Sequence, residues 1–152
     1  MGRKDIHKIL SEQDMQQVAE VIREIEKTTE GEIRVALREK RHWGEGKLSL
    51  HQLALKEFHR LGVHKTEKHI GVLIFLLISE RKFHIMADEG IHARVEDGTW
   101  DALAEQMSRH FREGKFYDGI CATAHGVGDI LAKHFPAKAG NIDELPDNVS
   151  VS

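Results

Sequence analysis

The sequence has a single cysteine, Cys121. That excludes an internal disulfide and any cysteine-rich zinc site, and it agrees with a reducing compartment. No helix N-terminus or basic cluster stands beside Cys121 to activate its thiol, so it reads as a small packed residue on a helix. Long apolar runs are missing too. The longest, Val72 to Ile78, is far short of the ~20 residues that span a bilayer. The opening MGRKDIHKIL has early positive charge but neither an apolar core nor a small-residue cleavage site. A soluble, cytoplasmic chain with no membrane segment is expected. Neither sign of charge dominates: 22 Lys and Arg face 25 Asp and Glu, a net charge of −3. Such a balance gives no general attraction to phosphate backbones, so nucleic acid is not an expected partner.

Several reaction classes lack their minimal parts. No Gly-rich phosphate loop, G-x-S-x-G elbow, H-E-x-x-H or C-x-x-C occurs. The basic run REKRH at 38–42, beside Trp43, reads as a solvated strand end and loop, because one short cluster on a net acidic chain is common. The 11 histidines are scattered singly; His59, His64 and His110 read as surface or hydrogen-bonded residues.

What is present is a clear alternation of helical and strand patterns. Ser11 followed by Asp14 opens a helix over about 12–28, with Met15, Val18, Ile22 and Ile25 at helical spacing. EIRVALREK then alternates like a strand with one wetter face, on which Arg34 and Arg38 lie. Ser49 caps a second helix through Leu53, Ala54, Phe58 and Leu61. GVLIFLLI, residues 71–78, is apolar on both parities and reads as a central strand covered on both faces. After a tight turn at SERK, Phe83, Ile85 and Ala87 alternate with His84 and Met86 in a third strand antiparallel to the second. Two further helices follow, one ended by Gly114 and one by Pro136. The order αβαββαα predicts a three-layer α/β/α sandwich around a small mixed sheet, with residues 1–136 as one domain and 137–152 as a loosely ordered tail.

MADEGIHARVEDG, residues 86–98, gathers the most oxygen donors. Asp88 and Glu89 sit at a strand end, and Asp97 and Asp101 flank the start of the next helix. Clustered carboxylates with glycine-freed carbonyls suit a hard cation. The plainer alternative is that Asp97 caps the helix, Asp101 favours its dipole, and Asp88 and Glu89 lie exposed at a turn.

From about Leu10 to Phe135 the chain resembles the TPM domain family, named for a thylakoid-lumen acid phosphatase, a photosystem II repair protein and a modulator of acetylcholine receptors. The resemblance rests on LSEQD, TEGEIRVAL, GVLIFLLISERKFHIMADEGI and HFREGKFYDGICATAHGVGDILAKHFP. DEGI after the third strand and HFP at the final helix end are similar to the short, soluble bacterial branch. The resemblance implies an α/β/α fold with a shallow cleft at one sheet edge, where acidic residues bind calcium or magnesium. By matching position it implies Glu80, Asp88, Glu89 and Asp97 as metal ligands.

Two departures stand out. His69 and Ile70 replace the Asp-Asn or Arg-Asn that leads into the central strand of many members, and His92 replaces a glutamate of longer ones. His69 and His92 are therefore possible additional ligands, and imidazole in place of oxygen admits zinc or manganese. The leading expectation is a small domain whose acidic cleft binds a divalent cation together with an unknown protein or small ligand, with no established catalysis. The first alternative is a metal-assisted phosphomonoesterase, in which Asp88 or Asp97 orients water and Arg81 contacts the phosphate. The second is a metal-independent interaction module presenting Trp43.

Overall fold

The computed structural model describes residues 9–137 and 149–152. Both serine caps form as the sequence predicts. Ser11 and Asp14 close a reciprocal capping box on α1 (Glu12–Glu26), and Ser49 and Gln52 close another on α2 (Leu50–Arg60). Between them lies β1 (Glu32–Arg38), followed after α2 by β2 (Gly71–Leu77) and β3 (Lys82–Ala87). A short α3 (Glu89–His92), then α4 (Asp97–Arg112) and α5 (Phe116–His134), lead to β4 (Ser150–Val151).

The sheet order is β3-β2-β1-β4. β1 and β2 are parallel across the α2 crossover, and β2 and β3 form the expected antiparallel hairpin, with Phe75 opposite His84. One sheet face carries Ile33, Val35, Leu37, Val72, Ile74 and Leu76 and packs against α1, α4 and α5. The other carries Ala36, Leu73, Phe75, Leu77 and Met86, which α2 covers with Leu53, Ala54 and Phe58. Three layers result, because strands apolar on both parities must be covered on both faces.

Three expectations need correction. β1 has no wetter face: all seven residues are buried, Arg34 and Arg38 included. Nor is the chain end uniformly loose. Ser150 and Val151 pair in parallel with Ala36 and Leu37, and the Glu39 N–H donates to the Ser152 carbonyl at 3.1 Å. Residues 138–148 of that expected tail lie outside the described residues. Finally, Asp88 and Glu89 do not lie at a plain turn: Asp88 caps α3, whose Ile91 enters the core with the following Val95. The N-cap position of α4 falls to Glu96, with Asp97 the first helical residue.

Arg38 is tolerated inside because acidic partners come to it. Its guanidinium pairs with Glu45 and lies 3.7 Å from Glu57, both of them buried. Lys56 reaches Glu45 at 2.7 Å, and Arg60 reaches Glu57 at 2.6 Å. Burial alone pushes the Glu45 carboxyl up. Hydrogen bonds from Lys56 and the His42 backbone, together with the Arg38 charge, outweigh it and hold the pKa at about 2. This network ties Glu45 of the loop after β1 to Arg38 of β1 and Lys56 of α2.

Candidate functional site

β3 is an edge strand; among the described residues no strand pairs with its outer side. The Asp88 N–H donates to the Gly71 carbonyl at 2.9 Å, so even-numbered residues turn their backbone groups toward β2. Phe83, Ile85 and Ala87 consequently turn theirs toward the open edge.

A cleft of about 430 Å³ lies at this edge. α2 supplies one wall: His51, Leu55 and His59 recur every four residues and share a helix face, with Phe58 beside them. His64 extends that wall, and His84 and Met86 alternate onto the same side of β3. Asp88, His92, Trp100 and Asp101 form the opposite wall. Five of the 11 histidines therefore line one cavity. Taken one at a time in the sequence, His59 and His64 look like isolated surface groups, and neither His51 nor His84 stands out. The available signals were the four-residue spacing on α2 and the strand parity of His84.

The imidazoles come in pairs. His51 Nδ1 and His84 Nε2 are 3.1 Å apart, with the rings edge to face. The His59 and His64 ring centres are 4.6 Å apart, and His64 Nδ1 is buried without a hydrogen-bond partner. Burial, and after it the neighbouring His51, hold His84 below the ordinary histidine pKa.

At the acidic end, Asp88 is the N-cap of α3, and its Oδ1 accepts the Glu89 N–H at 2.8 Å. Its Oδ2 is buried and has no hydrogen-bond partner; His69 Nδ1 lies 3.6 Å away. His69 has left-handed backbone, with φ of 57°. The glycine of DEGI has a structural reason. The Gly90 N–H donates to the His69 carbonyl at 3.0 Å, and a Cβ at Gly90 would stand 2.4 Å from the Lys68 carbonyl oxygen.

The fold does not gather the whole expected ligand set. Glu80 and Arg81 sit at the hairpin turn, and Asp88 sits at the far end of β3; six strand residues put roughly 20 Å between them. Glu80 is bound instead by Arg41, whose Nε lies 2.5 Å away, and that hydrogen bond holds the Glu80 carboxyl below its ordinary pKa. Arg81 lines a separate, smaller cavity with Phe111 and Phe116, so it cannot contact a phosphate held at Asp88. Glu89 is exposed and lies outside the cleft lining, whereas His92 is in it. The Asp97 side chain lies outside the described residues. Asp101, which the resemblance did not place among the ligands, shares the wall with Asp88. Among the described residues no three His, Cys, Asp or Glu side chains converge to hold a metal ion. No helix among them is long and apolar enough to cross a membrane.

Comparison with known proteins gives a consistent picture. A TPM domain family model matches residues 4–130. The solution structure of BA42 protein from the psychrophilic bacterium Bizionia argentinensis is similar, with 33% identity and a TM-score of 0.85; the match covers 94% of this chain and 95% of that one. The N-terminal domain of a P. gingivalis protein matches at 22% identity and a TM-score of 0.66, covering 84% of this chain and 79% of that one. The N-terminal domain of cg2496 from Corynebacterium glutamicum matches at 13% identity and 0.54, covering 87% and 77%. These last two likenesses concern the fold alone. Curated protein sequences give no match.

Proposed function

The chain belongs to the TPM domain family, and from that premise we propose that it is a cytoplasmic domain whose edge cleft binds a divalent cation at Asp88. The observation that carries this reading is the Asp88 carboxylate. One of its oxygens caps α3, while the other is buried without a hydrogen-bond partner and has only His69 Nδ1 beside it, at 3.6 Å, too long for a hydrogen bond. Asp101 and His92 line the same wall. Calcium takes six to eight oxygens, more than this wall supplies. Magnesium keeps several waters and binds through one or two carboxylates, which suits Asp88 with Asp101. The cation would offset the Asp88 charge and hold water or an anionic group in the cleft.

Titration of the chain with magnesium chloride, followed by amide NMR, tests the reading. Shifts confined to residues 88–101 are expected, and Asp88→Asn, which keeps the cap, should remove them. Absence of shifts at tens of millimolar magnesium sinks the proposal. A hydrolytic role in the same cleft predicts magnesium-dependent turnover of a generic aryl phosphate that Asp88→Asn abolishes.

A second reading, a partner-binding role, has one observation in its favour: Trp43 is fully exposed. An apolar ring of that size left in water suits a contact surface.

A further inference from the structure

The magnesium reading uses only one wall of the cleft. On the other wall, His51 and His84 come from elements 33 residues apart, yet two of their ring nitrogens face each other at 3.1 Å. Two nitrogens bound to one tetrahedral zinc, at 2.0–2.1 Å each, stand about 3.3 Å apart. With no metal bound the pair is a hydrogen bond, one ring N–H donating to the other ring's bare nitrogen, and its N···N spacing is within a few tenths of an ångström of that of two nitrogens on one zinc.

We propose that His51 Nδ1 and His84 Nε2 form a nitrogen-donor site for a borderline transition-metal ion such as zinc or cobalt(II), separate from the oxygen end at Asp88. Several features support it. Imidazole is the ligand class these metals favour, whereas calcium and magnesium prefer oxygen. A metal would replace this hydrogen bond: each ring then carries its proton on the other nitrogen, Nε2 in His51 and Nδ1 in His84, and both bare nitrogens turn toward the ion. The 430 Å³ cleft beside the pair leaves room for the remaining coordination positions to be filled by water or an incoming donor. His59 and His64 belong to a different position. His59 lies eight residues along α2 from His51, about 12 Å of helix.

The site is open, with two protein ligands, so it would hold its metal more weakly than a closed structural zinc site and would present it to a small donor ligand entering the cleft.

The experiment uses the untagged full chain and zinc alone, with calorimetry and nitrogen-15 spectra of the histidine rings. One equivalent of zinc should move the His51 Nδ1 and His84 Nε2 resonances together. Loss of even an outer partner of a ligating histidine typically weakens binding about 10–100-fold, so His51→Ala and His84→Gln should each weaken it at least about tenfold. His51 is exposed, and its variant should fold normally. Asp88→Asn should leave zinc binding in place, and both histidine variants should leave any magnesium response at residues 88–101 intact. Zinc bound with those two nitrogens unmoved overturns the proposal. So does loss of zinc binding in Asp88→Asn with retention in both histidine variants, or no binding below millimolar zinc.

Discussion

Replacing Glu45 by Gln should expose how strongly the interior ion network holds the cleft wall. Arg38 is 1% exposed, and Glu45 is its closest acidic partner. Removing one partner of a buried pair typically costs about 3–5 kcal/mol because the other charge is left uncompensated. Glu57, 3.7 Å from the guanidinium, offsets part of that, which brings the expected loss near 2–3 kcal/mol. The acidity of Glu45 leads to a similar figure. A folded-state pKa of about 2 against an ordinary value of 4.5 corresponds to roughly 3 kcal/mol. A carboxyl depressed in the folded state stabilises above its unfolded pKa, and that stability is lost as pH falls toward the folded value. The contribution should thus be complete above about pH 5, reduced by roughly 1 kcal/mol at pH 4 and by roughly 2 kcal/mol at pH 3. Urea unfolding of both chains by circular dichroism at pH 7, 4 and 3 measures it, since carboxylates common to both cancel in the difference. An equal gap between the two chains at every pH, or a loss at pH 7 under about 0.5 kcal/mol, refutes the reasoning.

Other outcomes follow from single contacts. Gly90→Ala should destabilise by about 1–3 kcal/mol, since its Cβ meets two backbone oxygens that cannot swing aside, and a thermal melt measures this. Gly98→Ala, in the first turn of α4 with nothing within 4 Å of the added carbon, should instead stabilise by about 0.5–1 kcal/mol in the same assay. Trp43→Ala should change stability by less than about 0.5 kcal/mol; if the ring is a contact surface, partner capture or self-association measured by sedimentation falls without loss of fold. Glu80→Ala should leave the magnesium response at residues 88–101 unchanged, because Glu80 serves Arg41 at the other end of β3.

The fold was legible where apolar periodicity and caps agreed. Ser11, Ser49 and the doubly apolar GVLIFLL place α1, α2 and β2 correctly, since each feature acts within a few residues of itself. Arg34 and Arg38 misled because their charge reads as exposure. The groups that allow Arg38 inside, Glu45 and Glu57, are delivered by a loop and a helix that sequence alternation does not register. The β4 pairing was illegible for a related reason: two residues are too few to show a period. At the site, DEGI suggested a ligand loop, yet Asp88 acts as a cap and Gly90 permits a close backbone approach. The histidine pairs are products of tertiary structure. Only the crossing of α2 beside β3 brings residues 51 and 84 together.

The pairing of β4 with β1 also has a consequence in time. Ser150 joins Ala36 across more than a hundred residues of intervening chain. At a synthesis rate of about 5–20 residues per second, the outer side of β1 waits roughly 5–25 s for its partner to be made. Until then the outer side of β1 at Ala36 and Leu37 is unpaired, and an unpaired edge is where strands from neighbouring chains add. Association between chains during synthesis should therefore start at this side of β1, before Ser150 and Val151 cover it.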